Sequence, residues 1–89
     1  LHIARRGLMA LDTELLRRRI EFFFSGKQWI HVVFTNGRFY NGPICANEKG
    51  CAEVGGDFFF VDDMKLGKTI VFFAEVDAIL PYREKEEGK

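Results

Sequence analysis

Few side chains in this 89-residue chain are spaced for bond-making chemistry. The candidates are His31, the neighbouring carboxylates Asp62 and Asp63, and the thiols Cys45 and Cys51. A metal needs several His, Cys, Asp or Glu ligands converging at set spacings, and a nucleophile needs a base beside it. His31 has no second ligand at such a spacing, and His2 falls in a segment expected to be foreign to the natural chain. Asp62 and Asp63 are adjacent at a strand end, where neighbouring side chains point apart, so a solvated loop is expected. No Ser-His-Asp set and no glycine loop for phosphate occurs. The expectation is no catalytic residue, no metal and no cofactor.

Two cysteines are too few for a zinc site, and reduced thiols in a cytoplasmic protein are the default reading. They flank Ala46-Asn47-Glu48-Lys49-Gly50, a turn across which they could meet and oxidise in an extracellular setting. No apolar run reaches the roughly 20 residues of a membrane span, and residues 1–8 lack a signal-peptide core. No membrane partner is expected.

What remains is cationic. Thirteen Lys and Arg balance thirteen Asp and Glu, so no global field draws the chain to nucleic acid. The halves differ: residues 1–41 hold seven basic against three acidic side chains, and residues 42–89 hold six against ten. A local basic patch is therefore allowed. Arg17, Arg18 and Arg19 fan across roughly 200° of a helix, so at least one faces solvent. Asn47 and Lys49 lie in one expected loop, Lys65 and Lys68 in another.

These groups need elements to hold them. Asp12 or Thr13 can cap a helix running to about residue 24, with Leu16, Ile20, Phe23 and Phe24 on one face. Ser25-Gly26-Lys27 ends it. Strands are expected at 29–34, 38–46, 51–61, 69–73 and 76–80. Asn36-Gly37 between the first two reads as a hairpin in which both residues accept positive φ. Gly42-Pro43 and Gly55-Gly56 read as bends in long strands, as a small barrel requires. Residues 1–11 are expected to be flexible or non-native, with Met9 as a candidate start, 12–83 to form one domain, and 84–89 to be a frayed charged tail.

The runs Thr69-Ile70-Val71-Phe72-Phe73 and Val76-Asp77-Ala78-Ile79-Leu80 read as strands with little charge to guard an edge. Such edges need partners. Alternate positions on both faces are apolar in 29–34 and 57–61, so a second face also needs cover. Self-assembly through Ile70, Val71, Phe72, Phe73, Val76, Ala78, Ile79 and Leu80 is expected.

One helix followed by five bent strands resembles the Sm-like family, and particular residues carry the resemblance. Val33-Phe34-Thr35-Asn36-Gly37-Arg38-Phe39-Tyr40-Asn41-Gly42 is similar to the first Sm motif, an apolar strand, a glycine turn and a second glycine five residues on. The stretch from Ile70 to Leu80-Pro81-Tyr82-Arg83 is similar to the second motif of the bacterial host-factor branch, which ends in two aliphatics, Pro, a variable residue and Arg. The resemblance spans about residues 12–83. It implies a strongly bent, five-stranded, SH3-like small barrel. It also implies a homo-oligomeric ring of six or seven subunits, with five a further option, closed by the fourth strand of one copy on the fifth of the next.

The family binds single-stranded RNA, which points to Asn47, Lys49, Lys65, Lys68 and Arg17–Arg19 as contacts. The family's base-stacking residue and Asp-x-x-Met-Asn signature are missing after the second strand, and its cationic clamp is replaced by Phe73-Ala74 or Ala74-Glu75. The uridine pocket is dismantled or rebuilt from other residues. Two alternatives are a ring that serves as a protein scaffold without RNA, and a monomeric SH3-like barrel that takes peptides on its aromatics.

Overall fold

The computed structural model describes the backbone of residues 2–83 and the side chains of residues 13–83. The expected charged tail, 84–89, lies outside the described residues. Helix α1 spans His2–Ser25. Its backbone is already helical at Asp12 and Thr13, so neither is the cap that the sequence suggested. The apolar stripe does its expected work: Ile20 and Phe23 are buried, and Leu16 and Phe24 pack against the same core. At the helix end Gln28 N donates to Phe23 O at 2.9 Å and Lys27 N to Phe24 O at 3.0 Å. That pair of bonds is a Schellman cap, and its left-handed residue is Lys27, φ 55°, rather than Gly26.

Five strands follow: β1 (Ile30–Phe34), β2 (Phe39–Gly42), β3 (Phe58–Asp63), β4 (Gly67–Phe72) and β5 (Val76–Pro81), with a 3₁₀ turn at Phe73–Glu75 between the last two. They form two antiparallel sheets, β2-β1-β5 and β3-β4. The β1–β2 loop departs from the expected two-residue turn. Only Gly37 has positive φ, Gly37 N donates to Phe34 O, and Asn36 Oδ1 accepts from Arg38 N. A turn followed by one left-handed glycine makes the same reversal with one strained residue instead of two.

Two long strands of the sequence reading are broken. The expected 38–46 strand stops at Gly42, where an added Cβ would run into the Asp62 carbonyl. Pairing then passes to the second sheet through Asp62 N to Pro43 O, Cys45 N to Phe60 O and the Ile44–Val61 bridge. The expected 51–61 strand reverses at Gly55-Gly56, where Gly55 N donates to Phe58 O and Val54 faces Phe59. A bend was expected there, and the chain makes a turn.

The core lies between the sheets under α1. Ile20, Ile30, Val32, Phe59, Val61 and Val71 are almost fully buried, each contributing about 1.5–3 kcal/mol by leaving water. The sheets are not closed into a barrel, because β4 and β5 do not pair with each other. No helix among the described residues is long and apolar enough to cross a membrane.

Asp63 is the buried charge of the molecule's described part, correcting its reading as a solvated loop residue. Oδ1 accepts from Asn41 N at 2.8 Å, and Oδ2 accepts from Lys65 N and Leu66 N at 2.9 Å each. One carboxylate thus ties β2 of the first sheet to the β3–β4 turn of the second. Burial alone would push its pKa up, but the three amide bonds together outweigh burial and hold it below the ordinary 3.8. A group depressed in this way stabilises the fold above its unfolded pKa and loses that contribution as pH falls through the folded value. Chemical denaturation between pH 7 and pH 2.5 should therefore show a loss of stability below about pH 4 that Asp63→Asn lacks. Equal acid sensitivity in both proteins would refute this role for Asp63.

Candidate assembly edges and nucleic-acid surface

In an antiparallel strand, alternate residues turn their N–H and C=O groups to opposite neighbours. Phe73 N donates to Asp57 O, which by that repeat sets Val71, Thr69 and Gly67 toward β3. Lys68, Ile70 and Phe72 then turn their backbone groups away from β3, along an edge with no strand beside it. Tyr82 N donates to Trp29 O, which sets Leu80 and Ala78 toward β1. Asp77, Ile79 and Pro81 line the second free edge, on β5. One group there is already occupied, because Arg19 Nη2 donates to Ile79 O at 2.8 Å.

The predicted interface residues divide by the same alternation. Ile70, Phe72 and Leu80 are exposed at 40%, 40% and 46%, whereas Val71, Phe73 and Ile79 are at 1%, 6% and 3% in the chain's own core. Val76 and Ala78 are half-buried. An unbroken apolar run thus serves the core with one face and leaves the other outward. Outward Phe58 and Phe60 on β3 lie beside Phe72, with ring centroids 6.3 Å apart for Phe58–Phe72 and 5.7 Å for Phe58–Phe60. A groove of about 570 Å³ runs along β5, lined by Leu15, Leu16, Arg19, Phe73, Ala78 and Leu80 among others.

Two of the three helix arginines are committed within the chain. Arg17 donates from Nη1 to Gly55 O and from Nη2 to Gly56 O, both at 2.8 Å, and its guanidinium stands 5.5 Å from the Phe73 ring centre. Arg19 caps β5 and stands 5.4 Å from the Phe23 ring centre. Arg18 is exposed. Three consecutive arginines therefore have three different settings.

The loop residues are similarly divided. Asn47 Oδ1 accepts from Lys49 N at 2.8 Å and Cys51 N at 3.0 Å, so its side chain builds the turn. Lys68 Nζ sits 3.0 Å from Glu53 Oε1 and 4.8 Å from the Phe60 ring centre, and the Glu53 hydrogen bond raises its pKa. Lys49 and Lys65 are exposed on different loops. Asn47, Lys49 and Lys68 share a depression with Glu48 and Glu53, which offset their charge.

Both thiols are free. Ala46 pairs with Ala52, so Cys45 lies opposite Glu53 and Cys51 opposite Asn47, and the thiols are offset rather than face to face. Burial, with the nearby Asp62 charge, pushes Cys45 up and makes it a poorer nucleophile. Among the described residues no group of three or more His, Cys, Asp or Glu converges for a metal.

One surface escaped the sequence reading. On the outer face of β2-β1-β5, His31 Nδ1 is hydrogen-bonded to Asn41 Oδ1, and the His31 and Phe39 rings are 5.1 Å apart. Next to them Trp29 and Tyr82 pack at 5.8 Å. The alternation Trp29, His31, Val33 and Phe39, Asn41 carries the signal for a shared outer face. The register across strands was needed to bring Tyr82 beside it.

No protein-family model matches the chain, and no curated protein matches it.

The contrast between neighbouring arginines is testable. Arg17→Ala should cost about 1–2 kcal/mol in urea denaturation, from two charge-assisted bonds to otherwise unpaired carbonyls. Arg18→Ala should change stability by less than about 0.5 kcal/mol. Equal effects would contradict the assignment of Arg17 as a clamp.

Proposed function

We propose that the chain is an Sm-like subunit that joins copies of itself, β4 of one to β5 of the next, into a closed ring that binds single-stranded RNA. In this reading the two sheets are halves of one strongly bent small barrel, continuous through the β2-to-β3 pairing and completed between subunits. The observation that carries the proposal is the pair of free strand edges at opposite ends of the order β5-β1-β2-β3-β4. A head-to-tail contact repeated about an axis satisfies both edges of every copy and leaves none exposed. Outward Ile70 and Phe72 on β4 match the apolar groove along β5 in character. Arg19 would release Ile79 O to the incoming strand.

The RNA half rests on the family resemblance together with the exposed cations Arg18, Lys49 and Lys65, multiplied around a ring. A second reading, a ring that acts as a protein scaffold, is favoured by one observation: Arg17, Arg19 and Lys68 spend their charge on partners within the chain.

Light scattering of the purified protein should give several times the 10.3 kDa of one chain. Phe72→Asp and Ile70→Pro should both reduce it toward one chain, the first by charging the seam and the second by removing an edge N–H that β3 does not use. A wild-type mass of one chain would refute the ring. For RNA, anisotropy with labelled oligo-U and oligo-A should show affinity that falls steeply with salt, and Arg18→Ala should lower the log–log slope by about 0.7 for each phosphate left without its cation. Absence of binding to both oligomers at low salt would leave the scaffold reading in its place.

A further inference from the structure

We infer that the outer face of the β2-β1-β5 sheet is the surface on which the RNA bases stack, in place of the loop pocket that this chain lacks; the inference rests on the RNA-binding reading above. The face is built in cross-strand rows. Trp29 lies opposite Tyr82, and the next row is Asn41, His31 and Leu80. The third row is Phe39, Val33 and Ala78. Each row therefore offers a flat ring: Trp29 with Tyr82, then His31, then Phe39. Rows two residues apart are about 7 Å from each other. That step is about twice the 3.4 Å rise of a stacked duplex strand, so bases must splay apart to use it. Single strands can do so and duplexes cannot.

The polar groups on the face suit an anionic, hydrogen-bonding ligand. A groove of about 350 Å³ is lined by His31, Phe39, Asn41, Tyr82 and Arg83, and no carboxylate lines it. The His31–Asn41 pair places an amide and an imidazole between the aromatic rows, where base edges would lie. Arg83 borders the groove and is exposed, placing a cation for the backbone phosphates. Phe39 is 54% and Trp29 40% exposed, a cost that a monomer gains nothing by bearing. An unlike partner such as a proline-rich peptide would use the rings but not the cation and the base-edge amide.

Trp29 is the only tryptophan of the chain and reports on this face alone. The test titrates unlabelled oligo-U and oligo-A into the intact protein while following Trp29 emission, beside anisotropy with labelled oligomers. The expected result is quenching that saturates with the anisotropy change, with affinity reduced roughly tenfold by Phe39→Ala and by Tyr82→Ala. Arg83→Gln should reduce the salt dependence and keep the quenching. Circular dichroism and oligomer mass are recorded for each variant. Binding by anisotropy with unchanged Trp29 emission, and unchanged affinity in Phe39→Ala and Arg83→Gln, would place RNA elsewhere and overturn this inference while the RNA reading stands. No binding to either oligomer would overturn both. A fall in oligomer mass in Phe39→Ala would make the face a subunit contact and would also overturn the inference.

Discussion

Backbone hydrogen bonding is the constraint on which this molecule turns. A strand end-on in a sheet leaves half its amides and carbonyls without a strand partner, and here two strands are in that position, β4 and β5. The chain defends one of them in part, by swinging Arg19 onto Ile79 O. The β4 edge carries Lys68 at one end and the outward apolar residues Ile70 and Phe72 beyond it. A long apolar edge of this kind is an aggregation hazard unless a defined neighbour takes it. A ring is the finite solution, because each copy supplies the missing strand to the next.

The same constraint explains where the charge goes. Arg17 satisfies two carbonyls at the Gly55-Gly56 reversal, Asp63 satisfies three amides where the sheets meet, and Lys68 holds Glu53. Each of these groups could have been read as a binding residue, and each instead closes a turn or joins two elements. With so many charges used inside, nucleic-acid binding by a broad cationic belt has little material left. Stacking on aromatic side chains depends far less on net charge. A neutral chain with exposed Trp29 and Phe39 suits that mechanism better than a phosphate clamp.

Much of the fold was legible from residues alone. The helix stripe of Leu16, Ile20, Phe23 and Phe24, the reversal at Asn36-Gly37, and the existence of five strands follow from local periodicity and turn chemistry. The breaks in the second and third strands were not legible, since they depend on how closely backbone approaches backbone at Gly42 and on which way the chain turns after Gly55. The split of the apolar run 69–73 into core and outward faces follows from period two once strand pairing is known. The roles of Arg17, Arg19 and Asp63 were invisible, because their partners are backbone groups distant in sequence. Trp29 and Tyr82 meet only through the β1–β5 register.

Residue-resolved hydrogen exchange on the assembled protein tests the central claim most directly. In a closed ring the amides of Lys68, Ile70 and Phe72, which face away from β3, should exchange as slowly as those of Thr69 and Val71, and Phe72→Asp should free the first set while sparing the second. Fast exchange at Lys68, Ile70 and Phe72 in the wild-type protein, with Thr69 and Val71 protected, would mean that β4 has no neighbour and would contradict the ring.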